Sequence, residues 1–135
     1  MIHLKINNET ASLAMVIVGI VKDFGGVPTL SKCIDPKSRA NILAGTYPIE
    51  EDIRREMDAF VAVFEKYGIK VCRPKNIKGL NQIFTRDITF VVDDKLVISN
   101  IIEERKKEIN AVADVLCQIP EKDIIKMPLI ARAEG

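Results

Sequence analysis

Asn81-Gln82-Ile83-Phe84-Thr85-Arg86-Asp87 sets a cation beside a carboxylate at the end of an otherwise apolar, strand-like run. A second carboxylate, Glu134, stands next to the last residue, Gly135. Two carboxylates reached from different parts of a chain suit a planar cation, whose donors they meet with charged hydrogen bonds. No complete nucleophile-and-base pair accompanies them, so the residues support recognition of a cation more directly than they support its chemistry.

Outward from this stretch the pattern alternates between strand and helix. Thr89-Phe90-Val91-Val92 and Leu96-Val97-Ile98 flank Asp93-Asp94 and read as a hairpin that takes in residues 82–99. Upstream, Ile69-Lys70-Val71-Cys72 reads as a strand closed by Pro74. Before it, Ile53, Met57, Phe60, Phe64 and Tyr67 recur at spacings of three and four, which predicts a helix from Glu50 to Tyr67 with that stripe in the core. Glu50, Glu51 and Asp52 suit its positive end, and Gly68 releases the chain. Residues 22–48 contain Gly25, Gly26, Pro28, Pro36, Gly45 and Pro48 and read as an irregular connection. The branched apolar run from Leu13 to Val21 reads as a buried strand, too short to cross a bilayer as a helix. Downstream, Ile102 to Leu116 reads as a helix whose charged run, Glu103 to Glu108, forms a solvated face; Ile124-Ile125 adds a last short strand. Alternation of this kind is α/β, with the strand order left open.

Composition narrows the function classes. A chain of 135 residues permits one domain with a real core. Its 20 basic and 19 acidic residues nearly cancel, and aromatics are 5% of the whole, so neither a polyanionic partner nor base stacking is favoured; no nucleic-acid or membrane partner is expected. Cys33, Cys72 and Cys117 are odd in number and far apart, and His3 is the single histidine. That pattern indicates reduced thiols, a cytoplasmic setting and no metal-ligand spacing. Gly25-Gly26 lacks the context of a dinucleotide or phosphate loop, so no cofactor is implied.

Ser12-Leu13-Ala14-Met15-Val16-Ile17-Val18-Gly19, Asn81 to Asp87 with its Phe84-Thr85-Arg86-Asp87 core, Arg105-Lys106-Lys107-Glu108 and the closing Glu134-Gly135 together resemble the amidinotransferase and amidinohydrolase superfamily, the arginine-deiminase-like penteins. The likeness runs over nearly the whole chain. It implies an α/β propeller around a central substrate pocket, of which residues 1–135 would form an incomplete N-terminal portion, with mixed sheets and packing helices. Glu134-Gly135 looks like the first half of the family's acidic-Gly-Gly-Asp strand. The family's histidine and cysteine nucleophile have no match here: His3, Cys33, Cys72 and Cys117 do not correspond to them.

In that family a cysteine attacks the amidino carbon of a guanidino substrate such as arginine, a histidine moves protons as an amine leaves, and an amine or water completes transfer or hydrolysis. The resemblance implies Glu134 as a catalytic carboxylate and Asp87 as a contact to the guanidinium. It leaves Arg86 either positioning a substrate carboxylate or bracing Asp87. An amidinotransferase-like fragment is the first expectation, with catalytic groups missing from these residues and no turnover by this chain alone. An arginine-deiminase-like hydrolase and a non-catalytic α/β binding or assembly module are the alternatives. Unpaired strand edges in a partial propeller imply self-association or pairing with the remainder of the fold.

Overall fold

Met15-Val16-Ile17 (β1) lies parallel to Lys70-Val71-Cys72 (β2), paired Met15 to Lys70 and Ile17 to Cys72, in a computed structural model that describes residues 1–33 and 35–133. Parallel neighbours need a long crossover, and the chain between them supplies two helices, α1 (Pro36–Ala44) and α2 (Glu50–Lys66). A second sheet has the order β3-β4-β5: Thr89–Val92 (β3) and Lys95–Ile98 (β4) form an antiparallel hairpin, and Ile124–Lys126 (β5) joins β4 in parallel. Asp93 turns the hairpin with a left-handed φ of 54°, a conformation that short polar side chains tolerate better than most. Its backbone also exchanges hydrogen bonds with Ile6 at 2.8 and 2.7 Å, which ties the N-terminal segment to the hairpin tip.

Several expectations change in the folded chain. The run from Leu13 to Val21 is a strand only over residues 15–17; Val18 and Val21 are buried beyond it, while Ile20 leaves to pair with Gln82. Residues 22–48 are irregular over 22–29 and 45–48, but α1 forms within them. Asp35 caps α1 by accepting the Ser38 N–H at 2.7 Å, Pro36 opens it, and Gly45 closes it at φ 68°. That backbone N–H also holds the Asp35 carboxyl below its ordinary range. The helix read from Glu50 to Tyr67 is α2, yet its stripe is not uniformly core: Ile53, Met57 and Phe64 are half-buried, whereas Phe60 and Tyr67 stay exposed. Residues 102–116 form a 3-10 helix over Glu103–Val112 followed by a short α-helix, α4 (Ala113–Leu116), instead of one regular helix.

The two sheets meet at a seam made of backbone. Gly19 lies so close to residues 82 and 83 that a Cβ there would sit 2.0 Å from the Ile83 carbonyl oxygen and 2.5 Å from that of Gln82. Beside it the Ile20 N–H donates to the Gln82 carbonyl at 3.0 Å. The Gln82 side chain is buried and fully used, its Oε1 accepting from the Ile77 N–H and its Nε2 donating to the Lys75 carbonyl, both at 2.7 Å. Buried polar groups persist when paired this way. Past the seam, Ile88, Ile101 and Val112 form the core, with Ile17, Ile109 and Leu116 packed on it. At the far edge Lys95 Nζ reaches Asp123 at 2.6 Å and Asp94 at 3.0 Å, and the ammonium holds the Asp123 carboxyl below its usual range.

Gly19→Ala is therefore expected to destabilise the chain by about 3 kcal/mol, since the added methyl meets carbonyl groups that cannot rotate away. Chemical denaturation measures this directly; a loss below about 1 kcal/mol would contradict the tight seam.

Candidate functional site

The Phe84-Thr85-Arg86-Asp87 stretch is not a strand. Gln82 makes a single bridge to Ile20, and Thr85–Ile88 then forms one helical turn, α3. Tertiary contacts select this turn: the Thr85 hydroxyl donates to the Ile17 carbonyl at the end of β1 at 2.9 Å, and the Asp87 N–H donates to the Phe84 carbonyl at 3.2 Å. Successive side chains on a helical turn diverge. Arg86 and Asp87, adjacent in sequence, consequently face different surroundings.

Arg86 is exposed and lines a cleft of about 430 Å³. Its walls come from the N-terminal segment, from β1, and from β3 with Leu96 of β4; Thr85 adds a hydroxyl beside Arg86. A volume of this size fits a small-molecule ligand, and mostly apolar walls with a few polar groups are the usual composition of such sites. No ion pair to Arg86 is found among the described residues.

Asp87 is braced by Arg105. Arg105 Nη1 donates to Asp87 Oδ2 at 2.7 Å. The other side of the same guanidinium grips Glu108 with two hydrogen bonds, Nε to Oε1 at 2.7 Å and Nη2 to Oε2 at 2.8 Å. Glu103, Glu104, Lys106 and Lys107 are exposed, as a solvated face requires, whereas Glu108 is 3% exposed and turns inward. The 3-10 geometry explains the difference: its period of three sets Arg105, Glu108 and Ala111 in one inward-facing row. Phe84 covers the guanidinium, with its ring centre 6.0 Å from the Arg105 Cζ, within range of a cation–π contact. The Glu108 hydrogen bonds push Arg105 further above its already high range, so it is a permanent cation.

Of the residues named from sequence, the structure places Arg86 at the cleft and Asp87 in this charged trio. Glu134, the expected catalytic carboxylate, lies outside the described residues. Cys72 is half-buried in β2, Cys33 is half-buried beside α1, and Cys117 is exposed after α4. Among the described residues no group of three or more histidine, cysteine or acidic side chains is arranged to hold a metal. No helix there is long and apolar enough to cross a membrane. Arg105 and Glu108 are the site residues that sequence reasoning missed as a pair. Their spacing of three is one at which oppositely charged helical side chains meet, which was the available signal.

Two small sheets, the first made by a helical crossover between its parallel strands, define a mixed α/β protein whose chain path is similar to that of two amidinotransferases of known structure. Inosamine-phosphate amidinotransferase StrB1 from Streptomyces griseus superposes with a TM-score of 0.66 at 19% identity, over 92% of this chain and 42% of that one. SxtG, an amidinotransferase from Microseira wollei in the saxitoxin biosynthetic pathway, gives 0.65 at 20% identity, over 92% of this chain and 41% of that one. At such identities the likeness is one of fold. The chain thus spans less than half the length of these two amidinotransferases. No family model matches the sequence, and a search of curated proteins gives no match.

Replacing Arg105 with methionine strands a buried Glu108, and the expected loss is about 3 kcal/mol, at the lower end for a broken buried pair because Arg105 keeps some exposure. Replacing Arg105 and Glu108 together by methionine removes both charges and should restore most of that stability. Equal destabilisation of the single and double variants in urea titrations would show that the pair is not an internally compensated unit.

Proposed function

We propose that this chain forms part of an enzyme that acts on a guanidino substrate such as arginine and passes its amidino group to an amine through a cysteine-bound intermediate. The observation that carries the reading is the amidinotransferase fold over 92% of the chain. The local chemistry is compatible with it. Arg86, a cation at the cleft, can meet a substrate carboxylate; Asp87, already matched to the guanidinium of Arg105, can accept from a substrate guanidinium; and Glu134 would supply the carboxylate nearest the reacting carbon. In this reading the described residues bind and orient, while the cysteine nucleophile and the histidine that moves protons come from further parts of the fold. Fixing the amidino carbon against sulfur and excluding water are what such a pocket contributes to transfer. Those further parts, or a second copy of the chain, would cover its open strand edges.

Transfer and hydrolysis differ only in what attacks the intermediate, an amine or water. The transferase reading is preferred because the two structural neighbours named above are amidinotransferases.

The test uses the protein of the complete reading frame, incubated with L-arginine with and without amine acceptors, its products read by mass spectrometry. An amidinated acceptor is expected. Citrulline formed whether or not an amine is present, with no amidinated product, would replace the transferase by a hydrolase, and no turnover of any guanidino compound would remove the enzyme reading. In the same protein Arg86→Gln is expected to weaken L-arginine by roughly tenfold or more while leaving agmatine, which lacks the carboxylate, little changed. Equal weakening of both ligands would remove Arg86 from carboxylate recognition.

A further inference from the structure

We infer that helix α2 carries a docking face for a second copy of this chain, which it meets antiparallel through Phe60, Val63 and Tyr67. The face is separate from the cleft and independent of the substrate proposed for it.

A helix that packs on one side ordinarily turns polar residues to water over the rest of its surface. α2 lies against β2, with Ile53, Met57 and Phe64 half-buried, and its two flanks are unlike. One flank is built for water: Arg54 is held between Glu51 at 2.7 Å and Asp58 at 3.1 Å, at spacings of three and four. The other flank is apolar. Phe60, Val63 and Tyr67, also spaced by three and four, stand in one row with exposures of 51%, 52% and 73%. Single exposed apolar residues need no explanation, but a continuous row of them marks a surface that meets a partner. The row is also held in shape. The Phe60 ring stands edge-on to Phe64, with 4.8 Å between centres and 70° between planes, so a half-buried neighbour fixes the ring that faces water.

The charges at the two ends of the row indicate what covers it. The first turn of α2 is acidic, with Glu50, Glu51 and Asp52, and its last turn carries Lys66. Glu56 continues the row one turn before Phe60, and Lys66 stands beside Tyr67 at the other end; among the described residues neither forms an ion pair within the copy. A second α2 laid antiparallel, about an axis between Phe60 and Val63, sets Phe60 against the partner's Val63 and brings Glu56 to the partner's Lys66. Two-fold symmetry makes each of these contacts twice. The same arrangement sets the positive end of each helix beside the negative end of the other. A parallel arrangement would set acid against acid and lysine against lysine. The row is thus complementary to itself only when reversed, which is the property of a two-fold interface. A helix of 17 residues is about 25 Å long and offers a small contact, so the dimer belongs to the weak, reversible class.

Sedimentation velocity on the protein of the complete reading frame, at low salt and across the micromolar range, tests this, with each variant also melted to record its stability. A dimer that dissociates on dilution is expected. Val63→Glu, at an exposed position, should melt like the parent and stay monomeric. Glu56→Lys and Lys66→Glu should each raise the dissociation constant by roughly fivefold or more, and the two together should return it toward the parental value, because the exchanged charges again meet across the axis. A parent protein that is monomeric throughout, or a dimer that Val63→Glu leaves unchanged, would overturn the inference. So would a Val63→Glu variant that melts lower with no change in size, the sign that further parts of the same chain cover the row. Single exchanges that weaken the dimer without recovery in the double variant would overturn the antiparallel pairing.

Discussion

The missing side chain of Gly19 sets the geometry of everything around the cleft. β1 ends two residues earlier, and at Gly19 the backbone passes so close to residues 82 and 83 that a Cβ would lie 2.0 Å from the Ile83 carbonyl oxygen. Any side chain would hold the two segments apart and break the Ile20–Gln82 bridge beside it. With the segments in contact, Thr85 reaches the last carbonyl of β1 and α3 starts at a defined place. Arg86 then falls on the cleft and Asp87 behind it, within reach of Arg105. A chain of backbone contacts therefore fixes which way two consecutive charged residues point.

The charged trio adds rigidity of another kind. Buried ion pairs seldom add much net stability, because removing charges from water costs nearly as much as their attraction returns. What they supply is direction, through hydrogen bonds that tolerate only one orientation. Here direction is imposed on residues from separate segments: Asp87 from the turn before the hairpin, and Arg105 with Glu108 from the 3-10 helix after it. The hairpin is thus closed at its base by charge, with the core of Ile88, Ile101 and Val112 packed beside it.

How much of this was legible in the sequence depended on whether local pattern or tertiary contact decided each element. The stripe of α2 and the paired runs about Asp93-Asp94 are strong local signals, and both elements form. The helix α1 was also written locally, in Asp35, Pro36 and Gly45, but the prolines and glycines around it masked those caps. The turn at Thr85–Ile88 was not legible, because a hydrogen bond to a residue 68 positions away selects it over an extended run. Nor was the burial of Glu108: a run of six charges reads as a wet surface, and nothing in the run itself marks which acid turns inward. Arg86 and Asp87 were found through their place in a motif, which says that they matter without saying that they face apart. The sequence left Arg86 either bracing Asp87 or meeting a substrate carboxylate, and the structure brings a further cation, Arg105, to Asp87 from 18 residues away.

The proposal most open to test is that Arg86 and Asp87, which face different surroundings in this structure, meet the carboxylate and the guanidinium of a guanidino ligand. A crystal structure of the complete protein with bound L-arginine tests it most directly. The account predicts the ligand's guanidinium on the Asp87 carboxylate and its carboxylate within hydrogen-bonding distance of Arg86, with Arg105 still forked to Glu108. L-arginine bound with neither residue in contact would contradict it.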